Sequence, residues 1–281
     1  MVKLFAILIS LVLGALSGFL FYTYVGTDIV PTIFIALGFA VAALLLQVIL
    51  FFVTFFLLGI PENKNKVRTH QSKFYHSMMM IAERIILSTF SMKCHCKGKE
   101  MMSPYEQYVV VANHRSNLDN MMMDVYLKEF KMVFVAKKSL FKAPLIGKFI
   151  HGNAYILLDR GNVQQEFEAF NIAHDMLTRE VEPHSIGIFP EGTRNENPDN
   201  RDVQAFHPGS FRMAIRAKKP IAIVALRGTK EVNNNLLFKR HPCYLDVIEV
   251  LEYEQYKDKD VNYLASYCQN KIQSYLKEVL K

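Results

Sequence analysis

Two long apolar runs at the start of the chain constrain its fold more than any other feature. Residues 4–25 carry no charge, residues 29–61 carry none either, and Asp28 is the only charged residue between them. A helix over the first run, 22 residues, rises about 33 Å, enough to cross a hydrocarbon core of roughly 30 Å. The second run exceeds that length, so its helix must tilt or continue into the interface. Gly26-Thr27-Asp28 makes a short polar turn, and Pro31 stands where a first helical turn tolerates proline. The pattern predicts a transmembrane hairpin over residues 1–61, with helices at about 4–25 and 31–60. Gly14 and Gly18 share the small-xxx-small spacing that lets two helices, or two copies, approach closely.

A cleaved secretory signal is the competing interpretation, since Lys3 precedes an apolar run that reaches Ala15-Leu16-Ser17-Gly18. A cleaved signal gives way to a polar mature chain, whereas here a longer apolar segment follows. Lys3 lies before the hairpin, Lys64, Lys66, Arg68 and Lys73 lie after it, and the turn holds no cation. Positive-inside logic puts both ends in the cytoplasm and predicts a multi-pass cell-membrane protein with its large domain on the cytoplasmic side. Four cysteines without a paired framework agree with a reducing compartment.

After the hairpin, Phe74, Met78, Ile81 and Ile85 recur at helical spacing, which predicts an amphipathic helix. Residues 62–90 therefore read as a linker and a helix lying at the lipid interface or docked on the domain. Residues 91–281 can bury one core. Gly at 13 and Pro at 10, with apolar residues along the whole chain, exclude a disordered, collagenous or disulfide-scaffold class. The net charge of +7 suits nucleic acid or anionic lipid head groups. Tethering to a membrane favours lipid as partner, with no nucleic acid.

Short β-type runs alternate with helical ones. Strands are predicted at 108–112, 132–136, 154–158, 185–189 and 221–224, and helices at 167–177 and 264–275. Apolar strands alternating with helices predict an α/β domain, a mixed sheet flanked by helices.

The chemistry lies where strands end. After Ala112 comes Asn113-His114-Arg115-Ser116-Asn117-Leu118-Asp119. If the chain turns into a helix here, His114 and Asp119 face one another, and the carboxylate fixes the imidazole tautomer while the other ring nitrogen takes a proton. After Phe189 comes Pro190-Glu191-Gly192-Thr193-Arg194, a glycine turn whose arginine and backbone amides can cradle a phosphate. Ser116 lacks the elbow of a serine nucleophile. Cys94-His95-Cys96 alternates along a probable strand without the partner spacing of a zinc site, and no metal is predicted.

Together these blocks resemble the glycerolipid acyltransferase family, whose type members acylate 1-acylglycerol-3-phosphate (lysophosphatidic acid). The resemblance spans roughly residues 90–230 and includes Phe134-Val135-Ala136-Lys137-Lys138-Ser139-Leu140-Phe141, with Pro144 and Gly147 following. It implies a catalytic pair of His114 and Asp119, with Lys137, Arg160, Glu191, Gly192, Thr193 and Arg194 on the substrate. It also implies an acyl thioester donor (acyl-CoA or acyl carrier protein), a lysophospholipid acceptor, and no cofactor besides. The second block departs from the family pattern: Ala154-Tyr155-Ile156-Leu157-Leu158-Asp159-Arg160 has alanine where glycine is usual and leucine where an aromatic is usual. The strand after Pro220 also lacks the family's second proline. Acylation of another lysolipid, non-catalytic lipid binding by the same fold, and metal-dependent phosphoester hydrolysis through His114 and Asp119 are the alternatives.

Overall fold

The computed structural model describes residues 2–26, 28–63, 68–144, 146–158, 162–197, 199–234 and 240–280. They form two compact units, Met1–Asn63 and Lys64–Lys281.

The first unit is a pair of helices, α1 (Val2–Val25) and α2 (Ile29–Gly59). The second helix begins two residues earlier than the proline suggested, so Pro31 falls within its first turn, where no helical partner for an N–H is lost. Both are long and apolar enough to cross a membrane, with mean hydropathy of 2.1 over Ala6–Val25 and 2.8 over Ile29–Gly59. Gly14 and Gly18 face α2: a Cβ at Gly14 would come within 2.5 Å of the Ala36 carbonyl oxygen, and one at Gly18 within 2.8 Å of the Ala36 methyl. The small-residue spacing thus serves the contact between these two helices. One polar bridge joins them, from Gln47 Nε2 to Ser10 Oγ at 3.0 Å.

The second unit runs α3 (Lys73–Thr89), β1 (Met92–Lys97), β2 (Val109–Ala112), α4 (Leu118–Tyr126), β3 (Met132–Lys137), α5 (Lys138–Lys142), α6 (Gly147–Gly152) and β4 (Ile156–Leu158). It continues with α7 (Val163–Thr178), β5 (Ser185–Ile188), α8 (Arg212–Ala217), β6 (Ile221–Arg227), β7 (His241–Leu251), α9 (Tyr253–Tyr256) and α10 (Val261–Val279). The strands form one seven-stranded mixed sheet in the order β1-β7-β6-β2-β5-β3-β4. Strands β6, β2, β5, β3 and β4 are mutually parallel, β7 is antiparallel to β6, and β1 is parallel to β7. Strand β2 is central and wholly buried, as its run of valines dictates. Its C-terminal end lies beside those of β5 and β6, because all three run the same way. In open α/β sheets such carboxyl ends are where ligands bind.

Helix α3 belongs with this unit, docked on its core. Its N-terminus is capped by Ser72, and it buries Tyr75, Met79, Ala82 and Leu87, with the Tyr75 ring edge-on to Phe149 of α6 at 5.5 Å. The anticipated stripe is the outer face: Phe74 and Ile81 stay 47% and 51% exposed. The helix carries two apolar stripes, and packing uses the one containing Tyr75, Met79, Ala82 and Leu87.

Candidate active site

Three chain segments converge beyond the ends of β2, β5 and β6. Asn113 ties the first to the third: its side chain donates to the Leu226 carbonyl at 2.9 Å and accepts from the Leu226 N–H at 2.8 Å. The second segment is tied to the first by the His114 N–H donating to Glu191 Oε1 at 2.7 Å. The Asn195 N–H donates to the His114 carbonyl at 2.7 Å. His114 is therefore held through its backbone by the segment that follows β5, and the residue before it is held by β6.

The chain then turns into α4, and Asp119 in the first helical turn faces back. His114 Nδ1 lies 2.9 Å from Asp119 Oδ2. The same oxygen accepts the Arg115 N–H at 2.7 Å and the Ser116 N–H at 2.8 Å. The other oxygen, Oδ1, accepts the Thr229 hydroxyl at 2.6 Å. Asp119 is fully buried. A carboxylate only accepts, so Nδ1 carries the proton and Nε2 presents its lone pair. The imidazole stacks on Phe189, centroids 4.2 Å apart and 20° between planes, which fixes the ring's tilt.

Glu191 is buried, and each of its oxygens accepts a backbone amide: His114 N–H on Oε1 and Gln204 N–H on Oε2, at 2.7 and 3.1 Å. Burial raises its pKa to about 7 against the opposing pull of these amides. Gly192 follows at φ +71°, the left-handed backbone that the turn out of β5 requires. Beyond it, Thr193 and Arg194 are exposed.

His114, Lys137, Gly192, Thr193 and Arg194 line one cavity of about 700 Å³. Away from the basic side chains its walls are mostly apolar, with Met79, Met121, Phe134, Ile146 and Ile150, interrupted by Glu83, Asn117 and Asn120. Arg160, the remaining sequence candidate, lies outside the described residues, as does Asp159.

A family model described as Acyltransferase matches residues 93–227, the stretch that contains every one of these blocks. Residues 93–227 are thus similar to the acyltransferase family. Similarity extends to a 1-acyl-sn-glycerol-3-phosphate acyltransferase of Haemophilus influenzae, 28% identical over 68% of this chain and 77% of that protein. The bovine 1-acyl-sn-glycerol-3-phosphate acyltransferase alpha is 27% identical over 68% of this chain and 65% of its own length. The chain thus spans about two thirds of that mammalian relative. The crystal structure of the 1-acyl-sn-glycerophosphate acyltransferase of Thermotoga maritima shares the fold, with a TM-score of 0.57 at 20% identity, covering 73% of this chain and 79% of that one.

The matched stretch carries its departure from the family pattern at a costly backbone position. Ala154, which stands in the glycine position, has φ +54°. A side chain there opposes the left-handed conformation that glycine adopts freely.

Sequence reasoning missed two groups of residues around the cavity. One is Thr229, whose only signal is its place two residues past β6. The other is a second acid pair, Glu83 of α3 and Asp124 of α4, both buried, beside the buried Tyr155. Glu83 and Tyr155 line the same cavity as His114. Burial pushes Asp124 up to about 7 and Glu83 well above the usual carboxylate range, the latter helped by Asp124 beside it. The periodicity of α3 placed Glu83 off its apolar stripe, so nothing in the sequence marked it as buried.

Proposed function

We propose that this protein is a membrane-bound acyltransferase that moves a fatty acyl group from an acyl thioester to the free hydroxyl of 1-acylglycerol-3-phosphate, giving phosphatidic acid. One observation carries the reading: His114 is oriented by a buried carboxylate and opens on a cavity that is basic at Lys137 and Arg194 and apolar beyond. The names of the similar proteins supply the acceptor class.

In this mechanism the acceptor phosphate binds Lys137, Arg194 and the Gly192-Thr193 turn, and Arg160 is assigned there by family resemblance. Binding places the acceptor hydroxyl at His114 Nε2, turning affinity into positioning. As the hydroxyl oxygen attacks the thioester carbonyl, Nε2 takes its proton, and the imidazolium is stabilised by Asp119. General-base assistance of this kind contributes about 10²–10⁴-fold. The C–S bond breaks, and the departing thiolate takes the proton from Nε2. Glu191 acts as a brace on the His114 backbone. The thioester of coenzyme A or of acyl carrier protein is consumed as substrate, and no further cofactor is invoked. Helices α1 and α2 anchor the protein in the cell membrane as a hairpin, with the domain on the cytoplasmic face.

Incubating the detergent-purified protein with lysophosphatidic acid and an acyl thioester tests this, with products read by mass spectrometry. Phosphatidic acid from the wild type and its loss in His114→Ala are expected. Product made equally by both would remove His114 as base. A product only from other lysolipids would change the acceptor and keep the mechanism.

A further inference from the structure

The Asp119 carboxylate is loaded unequally. Oδ2 accepts three N–H groups, His114 Nδ1 and the amides of Arg115 and Ser116. Oδ1 accepts the Thr229 hydroxyl at 2.6 Å. Thr229 and Asp119 are both completely buried, and Thr229 lies beyond the stretch that the family model matches.

Its position is fixed by backbone. Leu226 is locked to Asn113 by two hydrogen bonds. Gly228 turns the chain at φ +87° against β7, where a Cβ would strike the Pro242 carbonyl. Thr229 is thereby presented to Asp119 by the same strand end that holds the residue before His114.

We propose that Thr229 is a positioning residue for acyl transfer: its hydroxyl pins Oδ1 so that Oδ2 stays on His114 Nδ1. This rests on the acyltransferase reading above. The Arg115 and Ser116 amides are consecutive and can be shared one to each oxygen if the carboxylate rotates. A carboxylate without the hydroxyl has a buried acceptor with no donor, and rotation relieves it. That rotation withdraws Oδ2 from Nδ1, and the imidazole then loses the constraint that keeps its proton on Nδ1 and its lone pair on Nε2. During turnover the Thr229 proton stays on its oxygen and Asp119 remains a carboxylate. Only Nε2 gains and releases a proton.

Thr229→Val removes the donor at nearly constant volume, and Thr229→Ser retains it. For Thr229→Val, kcat is expected to fall at least about tenfold with both KM values within about twofold, and Thr229→Ser to recover most of the loss. A second readout needs no lipid substrate. The rate at which diethyl pyrocarbonate modifies His114 Nε2, followed by peptide mass spectrometry, should fall in Thr229→Val and return in Thr229→Ser. If Thr229→Val does not keep the wild-type melting profile, Thr229→Ala takes its place. Unchanged kcat and labelling in a folded variant lacking the hydroxyl, or failure of Thr229→Ser to restore both, would overturn the proposal. A wild type that acylates no lysophospholipid would overturn the acyltransferase reading instead, and the labelling rates would still decide the role of Thr229.

Discussion

Asp119 and Asp124 sit on the same short helix, α4, both buried and five residues apart. Their surroundings are opposite. Asp119 accepts from an imidazole N–H, two backbone amides and a hydroxyl. Asp124 meets another acid, Glu83, and one of its own oxygens has no hydrogen-bond partner. Burial therefore keeps protons on the Glu83–Asp124 pair near neutrality, with Asp124 raised to about 7. Equal burial gives two chemistries because the donors differ. In the proposed mechanism the first carboxyl serves the reaction, and the second serves the contact between α3 and α4.

The largest test of this contrast is to neutralise each aspartate in turn. Asp119→Asn is expected to lower kcat by about 10³–10⁴-fold, since an amide can hold the wrong imidazole tautomer. In the same acyl-transfer assay, run at pH 6 where Asp124 is mostly protonated, Asp124→Asn should stay within about threefold. Equal losses would erase the distinction.

Glu191→Gln comes next. It sets an amide NH₂ against either the His114 or the Gln204 N–H, an uncompensated donor pair expected to cost about 1–3 kcal/mol in a denaturant melt. Because His114 hangs on Glu191 Oε1, kcat should fall with it, by about tenfold.

The third test is pH. Glu83 and Asp124 hold protons in the folded protein that the unfolded chain releases near pH 4. Folding is then favoured most below that point, and the advantage is lost as pH rises toward the raised folded values, about 7 for Asp124. Melts at pH 5 and pH 8 should differ by on the order of 1–3 kcal/mol. The Glu83→Gln/Asp124→Asn double variant should make that slope less negative, removing the part due to this pair and leaving those of Glu191, also raised to about 7, and of His184, lowered by burial to about 4 and opposite in sign.

The smallest effect is Ala154→Gly. Relieving the left-handed alanine next to Tyr155 should stabilise the fold by about 0.5–1 kcal/mol with no change in turnover. A rise in activity would mean that the Asp124 side of the cavity takes part in catalysis after all.

The legible parts of this protein were those written locally. The valine run of β2, the polar break at Asn113 and the HxxxxD spacing together predict a strand, a turn and a helix whose ends oppose a base and an acid, and His114 and Asp119 meet as expected. The FPEGTR turn was legible for the same reason. What periodicity could not settle was choice among equivalents. Helix α3 offers two apolar stripes, and only the shape of α4 and α6 decides that Tyr75 and Met79 go inward while Phe74 and Ile81 stay out. Strand β7 escaped because its charges Asp246 and Glu249 interrupt the apolar pattern. Asp246 is buried against Arg227, which lies 3.6 Å over the Tyr244 ring, a tertiary pairing with no local signature. Thr229 was invisible for the same reason, since it reaches Asp119 across 110 residues of chain.

Arg115 draws one further consequence from this arrangement. Its guanidinium is buried next to His114 and donates to the carbonyls of Asn197, Asp199 and Asp202 and to the Asn200 side chain. The loop after the FPEGTR turn thus wraps the cation much as a crown ether wraps a metal ion, replacing water with a ring of fixed dipoles. A crown has a size. Adding or deleting a residue within 199–202 would change that ring's diameter and leave a bare charge one position from His114, so the length of a polar surface loop becomes a determinant of how the imidazole stands.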